Sequence, residues 1–206
     1  MFEATGDWAP RLANLLLSVP AVLWAITFHE FCHGYVAYRL GDPTAKLAGR
    51  LSLNPLHHLD PLGALMLLFF RFGWAKPVPI DARYFKNPKR DLVLVSLAGA
   101  AGNLLSAAAC GVLIRLAPNL FLGNFALRQF MLLMVVMNVG LAVFNLIPIP
   151  PLDGSKLLYL FLPNRYLQGF FWLERYGMIV LMVLVLLDVI PRLMSPVVLL
   201  FVNLIL

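Results

Sequence analysis

Apolar residues in this chain fall in long runs with little charge, and those runs set out its elements. The first covers residues 11–38, with Pro20 inside it and Gly41-Asp42-Pro43 just beyond. A run of that length predicts a membrane helix, which tolerates proline as a kink, and the Gly-Asp-Pro triplet ends it. Leu47, Gly49, Leu51 and Leu53 then alternate with Ala48, Arg50 and Ser52. That period of two predicts a short β-strand or hairpin region over 46–54. Asn54-Pro55 and Asp60-Pro61-Leu62-Gly63 carry turn chemistry. The apolar stretch 62–70 is of a length that seldom spans, and 74–87 is polar and proline-bearing, including Lys76-Pro77-Val78-Pro79-Ile80.

Residues 92–114 hold no charge and are long enough to cross a bilayer. Their small residues, Ala98 to Gly102 among them, allow close helix packing. A short uncharged loop is expected at 118–124, then a span over 130–147 that ends in Pro148-Ile149-Pro150-Pro151-Leu152-Asp153-Gly154. Residues 170–206 are again apolar, interrupted by Asp188 and Pro191-Arg192. The pattern predicts an all-α polytopic membrane protein, a helical bundle with a core over 11–169 and one or more further membrane segments in 170–206. All of it reads as one membrane-embedded domain, with no fixed-period repeat.

Composition agrees. With 61% hydrophobic residues, 13% charged and a mean hydropathy of +0.85, an ordinary soluble domain is excluded. The net charge of +6 raises nucleic acid as a partner, but the basic residues cluster between apolar runs, which fits membrane topology and no nucleic acid. Nine of the 16 Lys and Arg residues lie between Arg39 and Arg90. By the positive-inside rule that stretch is cytoplasmic, so 62–70 dips in and returns or lies buried, 118–124 falls outside, and Lys156 and Arg165 fall inside. The N-terminus, with Glu3 and Asp7, is then outside. It lacks a basic n-region, and no cleaved signal peptide is expected. Cys32 and Cys110 both lie in apolar segments and are expected as free thiols.

The candidate chemistry sits at the end of the first run, in His29-Glu30-Phe31-Cys32-His33. Histidines four apart share one helix face and can reach one Zn²⁺, and the glutamate beside them is placed to take a proton from water that the metal activates. A catalytic zinc usually has a third protein ligand. A metzincin histidine would stand where Arg39 is, with a glycine at Val36, so that branch is excluded. Among the acids, Asp153 differs from Asp42, Asp60 and Asp81: it follows a span and is held between Pro150-Pro151 and Gly154. Two spans separate it from His33, which returns it to the same side.

His29 to Gly34 (H-E-F-C-H-G) with Asn145 to Gly154 (N-L-I-P-I-P-P-L-D-G) resembles the site-2 protease family of intramembrane zinc metalloproteases. The run Gly41-Asp42-Pro43-Thr44-Ala45-Lys46, with Gly49-Arg50-Leu51, Asn54-Pro55, His58, Asp60-Pro61-Leu62-Gly63 and Phe72-Gly73-Trp74-Ala75-Lys76-Pro77-Val78-Pro79, looks like its small branch, which lacks a PDZ domain. The likeness covers roughly residues 20–160. It implies one zinc per chain, His29, His33 and Asp153 as ligands, Glu30 as general base and Asn145 as oxyanion donor. Asn103 falls where the family's A-G-P-x-x-N pattern has its asparagine, with Ala100 in place of the proline. The implied activity is hydrolysis of peptide bonds within or near transmembrane segments of protein or peptide substrates, in a multi-pass protein of a prokaryotic cell membrane, with the site toward the cytoplasm.

Several residues carry blander readings. Cys32 packs, Asp188 pairs with Arg192 at a membrane boundary, and Phe69-Phe70 and Trp172 meet lipid or the interface. His58, more than His57, is a candidate for metal contact or the rim of the site. Arg50 and Leu51, in the expected strand, are candidates for pairing with an unwound substrate. A metal transporter or metal sensor using the same ligands is the alternative function. A membrane peptidase acting on lipidated or soluble peptides is another.

Overall fold

The structure, a computed structural model, describes residues 8–70 and 75–206. Expectations that fall on Glu3, Asp7, Arg71 and residues 72–74, and on the side chains of Phe69 and Phe70, lie outside the described residues. The elements are α1 (Trp8–Arg39), α2 (Thr44–Leu47), α3 (Pro61–Phe70), α4 (Pro88–Leu116), α5 (Pro118–Leu122), α6 (Phe125–Asn145), α7 (Ser155–Phe161), α8 (Leu167–Leu186) and α9 (Val189–Ile205). Four stretches are long and apolar enough to cross a membrane: Leu15–Arg39, Pro88–Leu116, Phe125–Asn145 and Gln168–Leu186. The protein is an integral membrane protein of helical architecture.

Helices α1, α4 and α6 pack on one another as a three-helix unit. Its core joins Ala21 of α1, Ala107 and Cys110 of α4, and Met134, Val135 and Val139 of α6. Val198, Phe201, Val202 and Ile205 of α9 lie against the same core, so α9 runs back along α6. Gly111 permits that approach, since a β-carbon there would sit 2.5 Å from Ile205 Cγ2. Arg115 donates to the carbonyls of Leu204 and Leu206 at 3.3 and 3.2 Å. At the other end of the unit, α8 and the start of α9 lie on the 146–154 turn, with Leu181 of α8 and Ile190 of α9 packed on Ile147 and Leu152.

Local signals explain the boundaries. Pro88 starts α4, where its missing N–H costs nothing. Asn124 caps α6 by accepting from Leu127 N–H at 3.0 Å. Beyond α1 the chain closes in a Schellman turn: Asp42 N–H reaches Ala37 O at 3.0 Å, Gly41 N–H reaches Tyr38 O at 3.1 Å, and Gly41 has φ +109°.

Two expectations are corrected. No strand forms over 46–54 among the described residues; the nearest approach is an isolated bridge between Leu59 and Ala75. Thr44–Leu47 is helical instead and closes in a second Schellman turn, with Gly49 at φ +66°, Gly49 N–H on Lys46 O and Arg50 N–H on Ala45 O. The leucines that suggested a strand do not share a buried face, since Leu47 is 81% and Leu53 49% exposed. The 118–124 loop contains the short helix α5, started by Pro118. The apolar tail resolves into two helices joined by Asp188, whose φ of 59° turns the chain and whose carboxylate pairs with Arg192 at 2.9 Å.

Candidate metal and catalytic site

Helix periodicity brings the first two donors together. His29 and His33 are one turn apart on α1, their rings edge-on at 4.5 Å, and both are buried. Each is oriented through Nδ1 by a neighbour on α4. His33 Nδ1–H donates to Val95 O at 2.7 Å, and His29 Nδ1–H donates to Asn103 Oδ1 at 2.7 Å. Each Nε2 therefore presents a lone pair. Both point at Asp153 Oδ2, which lies 3.0 Å from His29 Nε2 and 3.1 Å from His33 Nε2.

Asp153 reaches the pair because the turn after α6 doubles back. Gly154 N–H donates to Asn145 O at 2.6 Å, which ties the turn onto the helix end. A β-carbon on Gly154 would collide with Leu146 O, so this closeness requires glycine. The result is a cluster of three electron-pair donors with no proton donor of their own to share. Such a set fits a cation, and imidazole with carboxylate suits zinc. Among the described residues it is the group of His, Cys, Asp and Glu whose ligand atoms all lie within 4.8 Å of one another. Gly99 of α4 shapes its back wall: a β-carbon there would sit 2.5 Å from His33 Nε2 and 2.6 Å from His29 Nε2.

Glu30, next on the helix, is partly exposed, and its Oε2 accepts from Val78 N–H at 2.8 Å. Val78 lies between Pro77 and Pro79, which have no N–H, so it is the lone main-chain donor of that triplet. The segment carrying it is fixed from several sides. Arg50 Nη2 donates to Lys76 O at 2.6 Å and Pro77 O at 3.2 Å. Lys76 N–H donates to His58 O at 2.9 Å. Fully buried Asp42 accepts from Asp81 N–H at 2.7 Å with one oxygen, and from Thr44 N–H at 2.9 Å and the Thr44 hydroxyl with the other.

The other sequence candidates take these places. Asn103 contacts His29 directly, and α4 is continuous past Ala100. Asn145 Nδ2 donates to Leu141 O at 3.0 Å along its own helix. His58 is buried away from the metal cluster, with Nε2 donating to Ser52 O at 2.8 Å. Arg50 and Leu51 support the Val78 segment, Leu51 lying with Val78 over Gly34. Cys32 is a free thiol that rests on Gly102. Sequence reasoning passed over Gly99 as a wall of the site, Val78 as the partner of Glu30, and Asn138, which accepts from Asn103 at 2.8 Å. The signals existed: an amide inside an apolar span, and one N–H between two prolines.

Likenesses to known proteins agree with this chemistry. The family model for Peptidase family M50 matches residues 122–187. The chain is 41% identical over 171 residues to "Putative zinc metalloprotease YwhC" of Bacillus subtilis, covering 81% of this chain and 78% of that protein. It is 30% identical over 186 residues to "Putative zinc metalloprotease Rip2" of Mycolicibacterium smegmatis, covering 86% and 69%. No solved structure matches it.

Proposed function

This chain belongs to peptidase family M50, the site-2 protease family, and from that premise we propose that it hydrolyses peptide bonds within or near transmembrane segments, at a site facing the cytoplasm. The observation that carries this reading is the convergence of His29, His33 and Asp153 on one point beside Glu30, at the end of an apolar helix. These three residues would hold the zinc. Bound there, zinc supplies Lewis-acid polarisation of the scissile carbonyl and makes water more acidic.

The protein's own groups supply the rest. Val78 N–H holds Glu30 Oε2, which leaves Oε1 to take a proton from the attacking water. Glu30 then passes that proton to the departing amine. Asn145, at the end of α6, offers an uncharged N–H to the developing oxyanion, and its loss is expected to cost roughly 10²–10³ in turnover. Because a transmembrane helix bonds its own peptide groups, the substrate must unwind locally before attack. The basic stretch from Arg39 to Arg90 supports a cytoplasmic opening and an N-terminus outside a bacterial cell membrane.

The test is Glu30→Gln in reconstituted vesicles with a single-span substrate. Cleavage disappears while zinc stays bound, whereas His29→Ala loses both. Zinc flux that survives Glu30→Gln but not His29→Ala would instead make the protein a transporter.

A further inference from the structure

Asn138 lies on α6, a helix that carries neither histidine, and no step above uses it. It is fully buried in a segment apolar enough to cross a membrane, where polar side chains are costly and mark function. Its hydrogen bonds have a direction. Met134 O can only accept, so the Asn138 atom 2.8 Å from it is the amide nitrogen. Asn138 Oδ1 therefore faces Asn103 and takes Nδ2–H at 2.8 Å. Ala25 O, also a pure acceptor, takes Asn103 Nδ2–H at 3.0 Å. Both donor positions of the Asn103 amide are thereby spent, and its oxygen is what remains for His29 Nδ1, 2.7 Å away. An acceptor at that place puts the imidazole proton on Nδ1 and leaves Nε2 bare.

We infer that Asn138 is a positioning residue for the metal site: by fixing the direction of the Asn103 amide, it selects the His29 tautomer that can bind metal. The inference rests on the metal reading given above. A reversed Asn103 amide would set N–H against His29 and drive the ring proton to Nε2, the atom that faces Asp153. Asn138 shares in penalising that reversal, because Asn103 Oδ1 would then face two acceptors, Asn138 Oδ1 and Ala25 O. His33 needs no such relay, since its Nδ1–H meets the Val95 carbonyl directly. It serves as an internal control.

The experiment uses the full chain in lipid nanodiscs with two readouts. Zinc affinity is measured by competition with a chelator. In metal-free protein, ¹⁵N NMR of ring-labelled histidine separates the Nδ1–H and Nε2–H forms. Asn138→Leu is expected to weaken zinc binding about 10–100-fold, as loss of a partner behind a ligand does. It should also raise the share of Nε2–H at His29, since Ala25 O alone then opposes the Asn103 reversal, while His33 stays Nδ1–H. Asn138→Asp, whose buried carboxyl keeps its proton and reproduces both bonds, is expected to stay within about threefold of the parent. If Asn138→Leu does not fold, Asn138→Ala is read by the same measurements. Parental affinity with an unchanged His29 tautomer in the apolar variant overturns the inference, and so does an equal loss in the apolar and Asp variants. Failure of the metal reading looks different: the parent takes up no zinc, or His29→Ala binds it as tightly. The tautomer measurement, which needs no metal, decides the role of Asn138 even then.

Discussion

The site has two walls of different construction. On the helical wall, α1, α4 and α6 meet through side chains: His29 on Asn103, Asn103 on Asn138, and glycines where helices must close up. On the loop wall the contacts run through main chain: Val78 N–H on Glu30, Gly154 N–H on the Asn145 carbonyl, Asp81 N–H on Asp42. Side-chain contacts at fixed helical spacing set the donors. Backbone contacts hold the segments that complete the site. The first kind fails by collision or loss of a partner, the second by loosening.

The contrast can be broken most sharply at Gly99. Gly99→Ala places a β-carbon between the two imidazoles, and peptidase activity is expected to fall about 10³-fold or more with loss of bound zinc, measured by metal analysis of purified protein. Gly154→Ala attacks the loop wall: the clash with Leu146 O displaces Asp153, and a shift near 1 Å costs about 10²-fold in turnover. Val78→Pro removes the lone N–H between the prolines; losing one hydrogen bond to the base should lower turnover about tenfold while zinc content stays parental. Asp42→Ala strands the N–H groups of Thr44 and Asp81 and should destabilise by about 1–3 kcal/mol for each left unmet, read from unfolding in detergent. The smallest effect is expected at Ser106→Ala, which removes the Trp24 Nε1–H bond between α1 and α4, a bond that touches none of the three donors. It should cost about 0.6 kcal/mol and leave turnover unchanged; a larger loss there would mean the helical wall is less independent than drawn.

The same division explains what could be read from sequence. The spans of α4 and α6 follow from uninterrupted apolar runs, and the His29–His33 pairing follows from a four-residue spacing. Asp153 stood out because prolines and a glycine frame it, although its approach to the imidazoles depends on a turn whose closeness shows only in three dimensions. The strand expected around Leu51 failed for the complementary reason. Alternation describes side chains, whereas Gly41 and Gly49 close two helix ends through carbonyls that no side-chain pattern records. His58 attracted attention as an imidazole, yet it serves as a buried strut on Ser52 O. Val78 went unnoticed because an apolar side chain hides a polar backbone role.

Gly177 of α8 has no side chain to set between its helix and the Pro150 carbonyl; a β-carbon there would overlap that oxygen. Pro150 is three positions before Asp153 in the chain. The helix and the ligand-bearing turn therefore meet without a compressible cushion, like two gears with no backlash. Any change in the tilt of α8 would therefore be felt at the turn that carries Asp153.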